Sequence, residues 1–275
     1  MPSFTRNTSG GASVSGGALA PRSRRGNTNQ ADAYWRGGGG ASFSSEYLAI
    51  NGGNGSTQTG IQGGTGGRWI EGSQTFTVGT AFTLTVGAAN SISVCGISDG
   101  STTPTGGTLY LGSGGSQSGN GDYNLGHDGG GGGGGAGGNG GNGSLNQGAT
   151  GGAGRATSIT GSSATYAGGG GGASARNGGG TSQAAGGSGG AGTGSNYNYG
   201  CAQGTNGSAN TGSGGGGNAY CTHTTGGSGR VVLAYLSSNG PLASIDAGLT
   251  YSLSTVSRSG YHVYTFTGGT GPIIP

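Results

Sequence analysis

Alternating apolar and polar residues predict a β-hairpin in residues 74–94. Apolar side chains occupy every second position in two runs joined by a short polar link: Phe76 and Val78, then Gly79-Thr80, then Phe82, Leu84 and Val86. A period of two with β-branched threonines between the apolar positions is typical of strands that bury one face. The shortness of the link favours pairing of the two strands with each other.

Three further segments have strand-like patterns near the end of the chain. Residues 230–236 (RVVLAYL) are the most apolar strand candidate, and weaker candidates lie near Leu249–Leu253 and Tyr261–Thr267. The polar stretch 237–241 (SSNGP) separates the first candidate from the other two and indicates a boundary. We therefore divide the chain into an N-terminal arm or anchor (1–33), a glycine-rich domain (34–238) and a small C-terminal β segment (239–275).

Blocks of glycine fill most of the region between the strand candidates. Glycine accounts for 78 of the 275 residues, and Gly129–Gly135 is an unbroken run. This run passes into glycine pairs that are separated by single residues, and other runs follow. The single residues are Ala136, Asn139 and Asn142, ending at Leu145; the other runs are Gly168–Gly172 and Gly214–Gly217.

Such glycine blocks form either a flexible linker or a packed region in which backbone segments lie directly against one another. Ordering each residue costs about 1–2 kcal/mol, and glycine has no side chain to offset this loss. The triplet spacing favours packing, because a left-handed extended helix with three residues per turn keeps every third residue on one face. Ala136, Asn139, Asn142 and Leu145 would then form one outward stripe. Bare faces would let neighbouring backbones pair their N–H and C=O groups. We predict a mostly irregular, all-β fold in which antiparallel polyglycine-II-type helices are framed by short strands, with no α-helix.

Composition excludes several other classes of protein. Hydrophobic residues make up 29% and charged residues 6% of the chain, too few for one ordinary core and too few charges for typical disorder. Only 6 prolines are present, so collagen is excluded. No apolar run is long enough to span a membrane.

The net charge of +3 is the difference between ten arginines and seven acidic residues, and the chain contains no lysine. Only Arg22, Arg24 and Arg25 cluster, and we assign them to the anchoring arm rather than to a nucleic-acid surface. No secretory signal is recognisable near the N-terminus.

Aromatic and polar residues in short loops are the best candidates for recognition. The candidate receptor-binding residues are Tyr123, Tyr197, Tyr199, Tyr220 and His223. Tyrosine provides a large contact area at low entropic cost. The alternative is that these tyrosines cap the ends of the bundle. Cys201 and Cys221 flank the loops and are either bridged or free thiols.

No catalytic constellation is present in the sequence. The seven acidic residues are scattered, and no serine motif or phosphate-binding loop occurs in a strand–helix context. Residues 122–128 (DYNLGHD) gather possible ligands but fit a polar turn better than a calcium loop. We therefore expect no enzyme activity, no cofactor and no metal.

Four motifs follow one another along the chain: FTVGTAFTLTVG (76–87), TYAGGGGG (165–172), GGSGRVVLAY (226–235) and YHVYTFTGGTG (261–271). Through the order of these motifs, residues 34–271 resemble the glycine-rich domains of bacteriophage tail-fibre and adhesin proteins. The resemblance implies a sandwich of polyglycine helices that holds receptor-contacting loops at its distal end.

The resemblance also implies where the protein is found and what it contacts. The expected location is the virion, after synthesis in the host cytoplasm. The expected partners are other virion tail proteins and a bacterial surface receptor, either a glycan or an outer-membrane protein, and no nucleic acid. The oligomeric state stays open between a homotrimer and closure within one chain. A purely structural virion component, such as a head decoration or tail connector, is the alternative. An ice-binding or matrix protein is a third hypothesis, disfavoured by the mixed residues in the stripes.

Overall fold

The computed structural model describes residues 41–56, 61–89, 96–98, 108–110, 129–144, 146–174, 183–196, 203–219 and 223–275. These residues form antiparallel sheets and no α-helix, which confirms the all-β prediction at that level. The strands are β1 (Ser42–Ile50), β2 (Trp69–Thr77), β3 (Phe82–Thr85), β4 (Gly96–Ser98), β5 (Thr108–Tyr110), β6 (Arg155–Thr157), β7 (Ala164–Tyr166), β8 (Arg230–Leu236), β9 (Ser244–Ile245), β10 (Thr250–Ser254), β11 (Tyr261–Gly268) and β12 (Thr270–Ile274).

A six-stranded sheet in the order β10-β11-β8-β1-β2-β5 forms the centre of the fold. The strand predictions at 230–236, 249–253 and 261–267 are confirmed by β8, β10 and β11. β8 lies between β11 and β1, and residues 231–235 are buried. Its continuous apolar run follows from this position, because both faces of the sheet are covered.

One face of the six-stranded sheet packs on a four-stranded sheet in the order β4-β3-β12-β9. The core between them contains alternate residues of β8, namely Val231, Leu233 and Tyr235, together with side chains from both sheets. The C-terminal segment contributes to both layers, since β11 pairs with β8 and β12 pairs with β3.

The predicted hairpin in residues 74–94 is wrong, although its strand periodicity is correct. β2 pairs with β1 and β5, whereas β3 pairs with β12 and β4 in the other sheet. Gly79 has a φ of 80° in the connecting turn, a conformation that favours glycine. Phe76 and Phe82 therefore meet across the core, with their ring centroids 4.7 Å apart in a T-shaped arrangement.

The other face of the six-stranded sheet packs on the glycine-rich region. This second core contains Leu48, Ile50, Trp69, Val232 and Ala234 from the sheet. It also contains Ala136, Ile159 and Ala167, which belong to the glycine-rich region and the β6–β7 hairpin.

The glycine-rich region consists of short extended segments that lie side by side, which we call the glycine array. Its described segments are 51–56, 61–67, 129–136, 138–144, 147–154, 167–174, 183–188, 191–196, 203–208, 212–219 and 223–229. Several continue directly into or out of sheet strands: 51–56 follows β1, 61–67 precedes β2, 167–174 follows β7 and 223–229 precedes β8.

Hydrogen bonds between array segments recur every three residues. In segment 129–136, the N–H groups of Gly130, Gly133 and Ala136 donate to the carbonyls of 173, 170 and 167, each at 2.8 Å. The residues one position earlier donate to a different segment: the N–H groups of 129, 132 and 135 donate to the carbonyls of 144, 141 and 138. Successive residues therefore hydrogen-bond to different neighbouring segments, and the same neighbouring segment is contacted again three residues later.

Neighbouring segments run in both directions. Between segments 129–136 and 167–174, the residue number of the acceptor decreases as that of the donor increases, so the two segments are antiparallel. Segments 167–174 and 191–196 are parallel, because the N–H groups of Gly171 and Ser174 donate to the carbonyls of residues 192 and 195, so that donor and acceptor numbers increase together. Parallel contacts thus occur alongside the predicted antiparallel ones.

The unbroken glycine runs lie in segments that are buried. Residues 129–136, 167–174 and 212–219 are buried throughout. Segment 167–174 forms backbone hydrogen bonds with six others: 61–67, 129–136, 147–154, 183–188, 191–196 and 212–219. The glycines 168–172 leave no space for a side chain; a Cβ at Gly170, for example, would lie 2.5 Å from the carbonyl carbon of Gly215 and closer still to its oxygen.

The glycine pairs with intervening residues lie at the edge of the array. Asn139 and Asn142 are exposed, as are Gln147, Thr150 and Ala153 in the next segment, again three residues apart. Ala136 differs from the predicted outward stripe because it contacts the second core and is only 7% exposed. Leu145 lies outside the described residues.

The described residues contain no helix of the length and apolar character needed to cross a lipid bilayer.

We predict that Gly170→Ala destabilises the protein by about 3 kcal/mol, because its methyl group meets a carbonyl that cannot move without displacing a segment. Gly138→Ala is the matched control, since its Cβ would be 3.7 Å from the nearest atom, the Ala153 nitrogen. We expect this control to be neutral or stabilising by up to about 1 kcal/mol. Urea unfolding of both variants measures the difference, and equal stability would contradict tight backbone packing.

Candidate functional site

One end of the glycine array is formed by the ends of its segments, away from the sheets. Nine terminal residues of array segments lie here: Ser56, Ile61, Gly129, Ser174, Gln183, Asn196, Gln203, Ala219 and His223. Hydrogen bonds join this group, for example from Ala173 N to Ile61 O (2.6 Å) and from Ser174 N to Ser195 O (2.9 Å). We call this the distal end.

The arrangement follows from the path of the chain. Segment 167–174 leaves β7 and runs outward, and 223–229 returns to β8. Residues 183–188, 191–196, 203–208 and 212–219 alternate in direction between them, with turns at 189–190 and 209–211 at the sheet side. The described residues that flank 175–182, 197–202 and 220–222 therefore lie at the distal end.

Buried polar side chains hold four segments together at the distal end. Asn218 Nδ2 donates to Ser56 Oγ at 3.1 Å, and Ser56 Oγ and Thr224 Oγ1 are 3.0 Å apart. Thr224 Oγ1 is also 2.6 Å from the carbonyl oxygen of Gly216. Gly204 N donates to Asn218 Oδ1 at 2.6 Å. Because these groups are 7% exposed or less, each depends on its protein partner.

Two buried serines satisfy backbone groups at the same end. Ala219 N donates to Ser195 Oγ at 2.9 Å, and Gly148 N donates to Ser174 Oγ at 3.3 Å. The side chains thus replace carbonyl acceptors where segments end, as capping side chains do in helices. The ends of these segments are thus joined to one another by both side-chain and backbone hydrogen bonds.

This polar cluster was not predicted from the sequence. Ser56, Asn218 and Thr224 are common residue types in a chain rich in serine, threonine and asparagine, and they are up to 168 residues apart. The available signal was the position of Asn218 directly after the glycine run 214–217.

Of the predicted receptor-binding residues, the structure describes His223, which is exposed at the distal end. Tyr123, Tyr197, Tyr199 and Tyr220 lie outside the described residues, so their recognition role stays a prediction. Tyr197 and Tyr199 belong to 197–202 and Tyr220 to 220–222, and the described residues that flank these two stretches lie at the distal end.

The remaining candidates also lie outside the described residues. These are the arm residues Arg22, Arg24 and Arg25, the cysteines Cys201 and Cys221, and the polar stretch 122–128. Among the described side chains, no group of three or more His, Cys, Asp and Glu could hold a metal ion.

Comparison with protein-family models, with curated proteins and with solved structures gives no match for this chain.

We predict that Thr224→Val destabilises the protein by about 1–3 kcal/mol, because it leaves Ser56 and the Gly216 carbonyl without their hydroxyl partner. Thr225→Val is the matched control, since Thr225 is exposed and its side chain lies outside the cluster. The control should change stability by no more than about 0.5 kcal/mol. Chemical unfolding distinguishes the two, and an equal effect would show that the cluster contributes nothing.

Proposed function

We propose that the glycine array is a bundle of polyglycine-II-type helices. The support is the period of three in the backbone hydrogen bonds, which matches a helix with three residues per turn. The burial of the all-glycine runs and the outward position of Asn139 and Asn142 also agree with such a bundle.

We further propose that the protein is a non-enzymatic phage virion component, a tail fibre or tip adhesin that presents loops to a bacterial surface. The observation that carries this proposal is the clustering of segment ends at the distal end, opposite the sheets. An attachment protein needs binding residues whose sequence can vary and a scaffold whose structure stays the same when they do. An array held together by backbone hydrogen bonds and by polar side chains at its end provides such a scaffold. The resemblance to phage glycine-rich domains supplies the biological context.

The mechanism would be recognition by a rigid scaffold. Connecting residues that leave a fixed platform lose less conformational entropy on binding than residues in a flexible chain. Tyr197, Tyr199, Tyr220 and His223 are the proposed receptor contacts, with Tyr123 a further candidate. The partners would be neighbouring tail proteins and a receptor on the host surface.

A purely structural virion role is the second candidate. It is favoured by the extent of the paired backbone, since such an array would also suit a connector or decoration protein. The two candidates differ in whether the distal end contacts the host.

Replacing residues 197–200 and 220–223 by serine and glycine in the encoding phage should reduce adsorption to host cells by about tenfold or more, because central contact residues each contribute more than about 1 kcal/mol to binding. Particles should assemble normally, since the buried partners Ser56, Asn218 and Thr224 are kept.

The matched control is the double variant Leu236→Thr and Val256→Thr. Both side chains are exposed, at 52% and 87%, and belong to the sheet region. Normal adsorption of the control with impaired adsorption of the distal variant supports the attachment role. Normal adsorption of both would favour the structural role.

A further inference from the structure

A cleft of about 560 Å³ opens on the array-facing side of the six-stranded sheet, and none of its lining residues belongs to the distal end. Its volume is within the range of pockets that hold small ligands. The side chains that line it come from β1, β2, the β6–β7 hairpin and the turn after β10: Glu46, Glu71, Thr157, Ser158, Ile159 and Arg258.

The floor of the cleft carries two carboxylates on neighbouring strands. In the β1–β2 register, Leu48 is opposite Glu71 and Glu46 is opposite Ser73. Glu46 and Glu71 are therefore diagonal neighbours on the same face of the sheet. Both are partly exposed, with 49% and 32% of their side chains accessible.

Each carboxylate is held by an arginine from a different element. Arg258 donates two hydrogen bonds to the two oxygens of Glu46, at 2.9 and 2.7 Å, and its guanidinium lies 3.8 Å from the centroid of the Tyr261 ring. Arg155 donates from Nε and Nη2 to a single oxygen, Glu71 Oε1, at 3.3 and 3.1 Å. No described residue donates to Glu71 Oε2.

The walls of the cleft are fixed by close backbone contact. Gly161 has a φ of 99°, and a Cβ there would overlap the Ser257 carbonyl, so the hairpin turn lies directly against the turn that carries Arg258. Ile159 anchors the hairpin in the second core and is 7% exposed. The cleft is thus preorganised by two ion pairs and a packed turn.

The charges of the cleft indicate the class of ligand. Each carboxylate is paired with a guanidinium, so an anion would meet two carboxylates and a cation would compete with two arginines. A hydroxyl group both donates and accepts, and it can bond to a free carboxylate oxygen and a guanidinium N–H without adding charge. Thr157 and Ser158 add hydroxyl groups at the rim.

We propose that this cleft binds a neutral saccharide, with Glu71 Oε2 and the remaining N–H groups of Arg258 bonding to its hydroxyls. This site is separate from the distal end, and the proposal does not depend on the attachment role.

The test is a titration of the ¹⁵N-labelled full chain with the methyl glycosides of glucose, galactose and N-acetylglucosamine, one at a time. We expect at least one of them to shift the amide signals of Gly72, Thr157, Ser158 and Gly161 in a saturable way. If none shifts these signals, the proposal is overturned. Shifts confined to the neighbourhood of His223 would also overturn it, while supporting recognition at the distal end.

Three variants assign the binding to the cleft. Ser158→Phe fills the cleft from an exposed position and should abolish the shifts. Glu71→Gln keeps an oxygen for Arg155 but removes the charge, and should raise the dissociation constant about tenfold. Asp246→Asn is the matched control with the same charge change outside the cleft, and it keeps the acceptor for Gly248 N. Unchanged binding in Ser158→Phe would contradict the proposal.

Discussion

Direct hydrogen bonding between neighbouring glycine backbones is the interaction on which this structure depends. In the array, carbonyl and N–H groups of different segments meet at 2.6–3.1 Å in nearly all cases, and a Cβ at most of the array's glycines would overlap a neighbouring backbone. Each such bond contributes only about 1 kcal/mol net, but a buried backbone group without a partner costs more. The array is therefore cooperative, since removing one segment would strand the polar groups of its neighbours.

The sheets provide what the array lacks. Glycine segments bury little apolar surface, and ordering them carries the largest backbone entropy loss of any residue. The six-stranded sheet is joined covalently to them through β1, β2 and β8, and the β6–β7 hairpin through β7. The second core packs at the junction with Trp69, Leu48 and Val232. A conventional core thus fixes one end of the array, and the polar cluster of Ser56, Asn218 and Thr224 fixes the other.

Local patterns predicted the local structure, and long-range pairing decided the rest. The alternation around Phe76 and Phe82 indicated strands, but a period of two does not say which partner a strand takes, and the turn at Gly79 sends β3 to the other sheet. The three-residue spacing at Asn139 and Asn142 indicated which side chains point outward. The Ser56–Thr224, Glu46–Arg258 and Glu71–Arg155 contacts join residues 84 to 212 positions apart, and no local signal marks them. The recognition residues Tyr197, Tyr199 and Tyr220 stay predictions from composition and resemblance.

Amide hydrogen exchange tests the central claim most directly, because it measures the stability of each backbone hydrogen bond. If the array unfolds cooperatively with the sheets, the amides of Gly169–Gly172 will exchange as slowly as that of Val232 in the central strand. The opening free energies measured for both will then equal the free energy of global unfolding. Val232 serves as the internal reference, since it is fully buried between two paired strands. Exchange of Gly169–Gly172 at random-coil rates while Val232 stays protected would contradict the account.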